Sequence, residues 1–179
     1  MSYLSQLEKS YRKYADKERA DAMSKYMKDK FEYFGIMSPI RKELDREFLR
    51  KYGKPTVTQL PAIIKEAYRK PQREFQYFII ELTKKYVKQL PEDFIETAQF
   101  MLVTKSWWDT VDTISGGPLG VHFQRFPDVR KKTLAKWRAS NNFWLRRACI
   151  LFQLNYKAET DFDLMGDIIR ENLNSKEFF

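Results

Sequence analysis

The sequence predicts an all-α protein, a curved α-α superhelix of antiparallel helix pairs, and three observations carry that expectation. Apolar residues recur at helical spacing along nearly the whole chain. Only 6 glycines interrupt 179 residues, and no strictly alternating stretch is bounded by Asn-Gly or Asp-Gly turns, which argues against a sheet. Aromatic-led motifs also open alternate helices, with Phe75, Trp108, Trp144 and Phe179 spaced by 33, 36 and 35 residues. One helix pair per step is the mark of an α-solenoid, whose concave face collects one helix from every pair.

Segments 2–14 and 16–30 read as two charged amphipathic helices, the first with Leu4, Leu7, Tyr11 and Tyr14 at helical spacing. Ser38 as N-cap, with Pro39 at the first helical position, opens a third helix that closes near Gly53. Helical periods continue over 56–69, 72–88, 91–102, 105–115, 118–125, 127–138, 141–155 and 160–173. The breaks fall at Gly53-Lys54-Pro55, Lys70-Pro71, Pro91, Gly116-Gly117-Pro118 and Pro127, where proline removes a helical N–H and glycine frees the backbone. No linker or low-complexity tract divides the chain, so the sequence predicts one domain over 1–179. Asn174-Ser175-Lys176-Glu177 caps and opens a further helix that stops at Phe178-Phe179. The expectation is an N-terminal part of a longer solenoid that lacks its C-terminal repeats, because open solenoids end in a repeat with a polar outer face.

Composition narrows the function classes. With 43% apolar and 16% aromatic residues, the chain can bury a genuine core. No run approaches the roughly 18 apolar residues that span a bilayer. The N-terminus, with Glu8, Arg12, Lys13 and Asp16, lacks the apolar centre of a signal peptide, so the expectation is a soluble cytoplasmic protein with no membrane partner. One cysteine, Cys149, and one histidine, His122, leave no nitrogen and sulfur set for zinc. A metal is therefore not expected, although a carboxylate-only Mg²⁺ site stays open, and His122, in the apolar run Leu119–Phe123, reads as a packed side chain. The net charge of +9 points to a polyanionic partner. Basic clusters recur at Arg41-Lys42, Arg50-Lys51, Lys84-Lys85, Arg130-Lys131-Lys132 and Arg146-Arg147, which suits an extended charged surface that cradles a duplex and has no need to dimerise.

The most informative run is Lys105-Ser106-Trp107-Trp108-Asp109-Thr110-Val111-Asp112-Thr113-Ile114-Ser115. On a helix, Trp107, Val111 and Ile114 share one stripe, and Trp108, Asp112 and Ser115 line its neighbour. The first stripe reads as core and the second as a site, where a carboxylate beside an aromatic face suits a cationic substrate. Asp109 falls roughly opposite the core stripe and reads as a solvated surface carboxylate. Asp112 is the candidate acid.

Phe34-Gly35-Ile36 followed by Pro39 and Arg41, then Arg73-Glu74-Phe75-Gln76-Tyr77, Trp107-Trp108-Asp109-Thr110-Val111-Asp112 and Trp144-Leu145-Arg146-Arg147, together resemble the AlkD-like family of DNA alkylation repair glycosylases. The likeness runs nearly end to end. It implies a HEAT-like repeat fold and removal of N3- or N7-alkylated adenine or guanine from duplex DNA, with no metal or organic cofactor. It also implies that Asp112 is the catalytic carboxylate, Trp108 an aromatic wall, and Arg147 a DNA-backbone contact near the lesion, with Arg146 a second candidate. Tyr26, in Met23-Ser24-Lys25-Tyr26-Met27, matches a further aromatic position of the family's cleft. The family's second tryptophan wall comes from the following repeat and has no counterpart among Trp107, Trp108, Trp137 and Trp144. On the residues alone two other readings stay open. One is a non-catalytic nucleic-acid-binding solenoid, in which Asp112 ties to Arg147 between repeats; the other is a protein-interaction scaffold.

Overall fold

The computed structural model describes residues 2–179, and they form helices and turns with no strand beyond one isolated bridge between Glu32 and Gln72. The chain divides into two compact units, residues up to Glu81 and residues from Leu82 on.

In the first unit, α1 (Tyr3–Lys13) buries Leu4, Leu7 and Tyr11 completely and packs on both α3 (Ser38–Tyr52) and α4 (Leu60–Arg69). Tyr14 caps the end of α1 and is 54% exposed, so it leaves the apolar stripe on which the sequence placed it. Between them lies α2 (Lys17–Tyr26), opened by the Asp16 carboxylate accepting from the Arg19 N–H. Helix α3 starts one residue earlier than expected: Met37 is the N-cap and Ser38 is already helical. Rings of Tyr11, Phe34 and Phe75 meet mutually at 5.6–5.7 Å and form the centre of this core. Helix α5 (Glu74–Lys84) supplies Phe75, Phe78, Ile79 and Ile80, and continues across the division into the second unit.

The second unit contains α6 (Phe94–Val103), α7 (Trp108–Ile114), α8 (Gly120–Arg125), α9 (Pro127–Arg138), α10 (Phe143–Leu151) and α11 (Phe162–Asn172). Helix α10 is its hub, touching α6, α7, α9 and α11. Its start is set by Asn142, whose side chain accepts from the Trp144 N–H at 3.0 Å. Ala148 and Cys149 lie on its buried face, and burial pushes the Cys149 thiol up to about 12, so it behaves as a packed hydrophobe. His122 is fully buried with Nε2 donating to the Pro91 carbonyl at 3.1 Å, and burial depresses its pKa, as suits a neutral packed ring.

The break expected at Gly116-Gly117-Pro118 is present as a kink: within the turn Ser115–Leu119 the Gly117 backbone, at φ −100° and ψ −106°, leaves helical geometry and separates α7 from α8. Two side chains hold this turn: Asn155 Nδ2 donates to the Gly116 carbonyl and the Tyr156 hydroxyl to the Gly120 carbonyl, both at 2.7 Å. A Cβ at Gly120 would sit 2.5 Å from the Phe152 carbonyl oxygen, so only glycine permits this approach to the chain just beyond α10. The turn thereby fixes the C-terminal end of α7 against the α10 region.

Candidate functional site

Helices α7 and α10 bring together the two residues on which the sequence reading depends. Arg147 grips Asp112 as a fork, Nε donating to Oδ1 and Nη2 to Oδ2, each at 2.7 Å. Such parallel charge-assisted bonds fix both planes. The pair remains open to water, with the Arg147 side chain 23% and the Asp112 side chain 31% exposed. The third arm of the guanidinium, Nη1, donates to the Phe179 carbonyl.

An aromatic group belongs to the same region. Trp107 and Trp144 rings lie 6.0 Å apart, and the Phe179 ring packs edge-on to Trp107 at 4.9 Å and stacks on Trp144 at 5.6 Å. Trp108, half-buried in the first turn of α7, stands four residues before Asp112 and so on the same side of the helix.

Three details differ from the helical projection. The helix begins at Trp108, which leaves Trp107 as an extended N-cap instead of a member of the core stripe; Val111 and Ile114 hold that stripe with no exposure. Ser115 does not share the site, because it is fully buried and its hydroxyl donates to the Val111 carbonyl at 2.6 Å. Asp109 is half-buried where full exposure was expected.

The adjacent arginines have separate tasks. Arg146 donates through Nε to Asn172 Oδ1 at 3.1 Å and through Nη1 to the Ser140 carbonyl at 2.6 Å, tying α10 to α11 and to the turn before it. Nor do the basic clusters all face solvent. Arg41 is 6% exposed and bonded within its own helix to Asp45.

The sequence profile of DNA alkylation repair enzymes matches residues 7–179. This chain belongs to that family. A solved structure described as a predicted DNA alkylation repair enzyme from Enterococcus faecalis is 29% identical, with a TM-score of 0.81, over 92% of this chain and 76% of that one. No curated protein matches. The all-helical architecture agrees with the helical-repeat fold of the family, and the family's substrate is DNA.

Among the described residues of this alkylation repair protein, no three His, Cys, Asp or Glu side chains are placed to hold a metal ion. Among the described residues no helix is long and apolar enough to cross a membrane.

Tyr26 belongs to the first unit. It ends α2, is 71% exposed, and lines a cavity of about 490 Å³ with Tyr33, Tyr77, Arg41 and Glu74. Sequence reasoning placed Glu74 in a motif without seeing what it does. The residue is 1% exposed, and its Oε1 accepts the backbone N–H groups of Phe34, Gly35 and Ile36 at 3.0, 3.0 and 3.4 Å. Burial raises the Glu74 pKa, against the pull of those three donors. Gly35 makes the arrangement possible: its φ is +82° and a Cβ there would sit 2.1 Å from the Asp16 carbonyl oxygen. The available signal was a cluster of polar residues, Arg73, Glu74 and Gln76, opening an apolar helix, because polar groups there must bury with partners.

Proposed function

We propose that the protein is a DNA glycosylase that hydrolyses the N-glycosidic bond of cationic N3- and N7-alkylated adenine and guanine in duplex DNA. The observation that carries this reading is the water-accessible Asp112 carboxylate, held in orientation by Arg147 and one helical turn from Trp108. An alkylated purine already bears positive charge, so it departs as a neutral base and needs little acid assistance. Positive charge grows instead on the deoxyribose as the bond from C1′ to N9 breaks, its electron pair passing to the base. A carboxylate facing the sugar stabilises that charge and orients a water, whose oxygen bonds to C1′ while its proton passes to the carboxylate or to solvent. One carboxylate therefore suffices where glycosidases of ordinary sugars use two.

Trp108 supplies an aromatic wall against the sugar or the cationic base, a contact of about 0.5–2 kcal/mol. Arg147 has the fork geometry for a phosphate, and exchanging its grip on Asp112 for the DNA backbone would free a carboxylate oxygen as the substrate docks. Tyr26 adds a DNA contact from the first unit. The protein acts as a monomer on duplex DNA.

A second reading is favoured by the same fork: the Asp112–Arg147 pair ties α7 to α10 in a solenoid that binds DNA without excising a base. Release of 7-methylguanine and 3-methyladenine from methylated duplex separates the two. We expect Asp112→Asn to lower release at least about tenfold while duplex affinity holds, because the substitution preserves shape and removes charge. Equal loss of release, affinity and thermal stability would make Asp112 a structural tie.

A further inference from the structure

The cavity of the first unit has the size and the lining of a small-molecule site. Its volume of about 490 Å³ lies within the roughly 300–1,000 Å³ of small-molecule sites. Its walls are aromatic and thioether: Tyr26, Tyr33 and Tyr77, with Met23 and Met27. The Tyr33 and Tyr77 hydroxyls meet at 3.3 Å. Flat apolar walls of this kind take a planar ring by stacking.

Two polar groups line the same space, and both are buried and pre-oriented. The three backbone N–H groups that hold Glu74 Oε1 fix the plane of the carboxylate, yet its Oε2 is buried without a hydrogen-bond partner. A buried acceptor left in this state deserves a donor. Arg41 is tied through Nη1 to Asp45 at 2.8 Å and lies over the Tyr77 ring at 5.3 Å. That bond uses one of its five N–H donors and neutralises its charge.

We propose that this cavity binds an unpaired guanine base. Guanine carries two adjacent donors, N1–H and the N2 amino group, beside two adjacent acceptors, O6 and N7. Such an edge complements a carboxylate and a guanidinium that line one cavity. Arginine to O6 and N7 is the common pairing for guanine, and carboxylates accept from base amino groups. Adenine offers one donor beside one acceptor, the N6 amino group and N7, so it makes a single bond to each group where guanine has two donors and two acceptors. The inference stands on the first unit alone and does not depend on the role of Asp112.

The test is titration of the full chain, carrying ¹³C-methyl methionine, with guanosine, with adenosine, and with a thymidine oligonucleotide holding one guanine. Met23 and Met27 line the cavity, whereas Met101 and Met165 belong to the second unit and serve as controls. Saturable shifts of Met23 and Met27 with guanosine, at least about tenfold weaker with adenosine, are the expected result. Shifts with the guanine-bearing strand but not with guanosine would keep the pocket and assign it to a base held in a strand. Glu74→Gln retains the oxygen that accepts the three N–H groups and turns Oε2 into a donor, so guanine affinity should fall at least about tenfold. If that variant does not fold, Tyr26→Ala, which removes an exposed wall, should weaken binding severalfold. Equal response to adenosine, no response at Met23 and Met27 up to millimolar guanosine or strand, or Glu74→Gln binding unchanged would each overturn the proposal.

Discussion

Two aspartate–arginine pairs, one in each unit, show how burial changes the meaning of the same chemistry. In the first unit Arg41 and Asp45 lie one turn apart on α3 with side chains only 7% and 11% exposed, and the Tyr11 hydroxyl also donates to Asp45. In the second, Arg147 and Asp112 come from different helices and are 23% and 31% exposed. A buried pair has given up its hydration and can leave its partner only at great cost. A half-exposed pair trades one partner for water or phosphate, so it can serve a reaction. Geometry alone would rank the second as the stronger bond, since it is a double fork; accessibility makes it the functional candidate.

The largest effect expected from this contrast is on stability. Asp45→Ala strips both Arg41 and the Tyr11 hydroxyl of their acceptor and should cost about 3–5 kcal/mol, whereas Asp112→Ala should cost under about 1 kcal/mol. Denaturant unfolding of the two variants measures the difference. Similar losses would erase the distinction between a structural and an available pair.

A smaller effect is expected with pH. Burial raises Asp45 from 3.8 to about 6, so between these values the folded protein holds a proton that the unfolded chain has released. Stability contributed by Asp45 therefore falls as pH rises from about 4 to about 6 and is level above. The ionised carboxylate left above that range still accepts from Arg41 and from the Tyr11 hydroxyl, which is why this loss is gentler than truncation to alanine. Glu74 is shifted in the same direction, and His122, depressed by burial, pulls the opposite way below its ordinary range. The unfolding free energy of the wild type minus that of Asp45→Asn, taken from pH 4 to pH 7, isolates Asp45. A flat difference would mean that Arg41 and Tyr11 hold it ionised throughout.

How far each region was legible in the sequence follows from the same contrast. Helix order was readable because Gly53, Lys70-Pro71, Pro91 and Pro127 interrupt 3.6-residue periods, and each falls outside a helix or opens one. The meeting of α7 with α10 was implied by the 36-residue step between Trp108 and Trp144, one residue more than the 35 that separate Asp112 from Arg147. Burial of charge was not readable. Arg41 and Glu74 are hydrophilic by type; Asp45, one turn on, supplies Arg41 a partner, but only the tertiary fold decides that this pair is buried and that a backbone trio 38 to 40 residues away absorbs Glu74. The break at Gly116-Gly117-Pro118 was readable as a local breaker, but what holds the kink was hidden for a related reason: Asn155 and Tyr156, distant in sequence, bond the Gly116 and Gly120 carbonyls on either side of it.

The finest contrast lies between neighbours, Arg146 and Arg147, which sequence treats as one basic pair. Arg147→Ala should weaken duplex binding and reduce the dependence of log affinity on log salt by about 1, since one phosphate contact releases about one counterion. Both arginines are already bonded, Arg147 through three nitrogens and Arg146 through two, so the difference lies in the partners: releasing Arg147 uncovers the water-accessible Asp112 carboxylate, whereas releasing Arg146 only breaks the tie of α10 to α11 and to the turn before it. Arg146→Ala should therefore leave the salt slope unchanged and lower stability by about 1 kcal/mol, the ordinary net worth of an intramolecular hydrogen bond. Binding titrations from low to physiological salt, with unfolding curves alongside, separate the two. If Arg146→Ala shallows the slope as much as Arg147→Ala does, the bonds to Asn172 and Ser140 yield to DNA, and the interface extends along α10 toward α11.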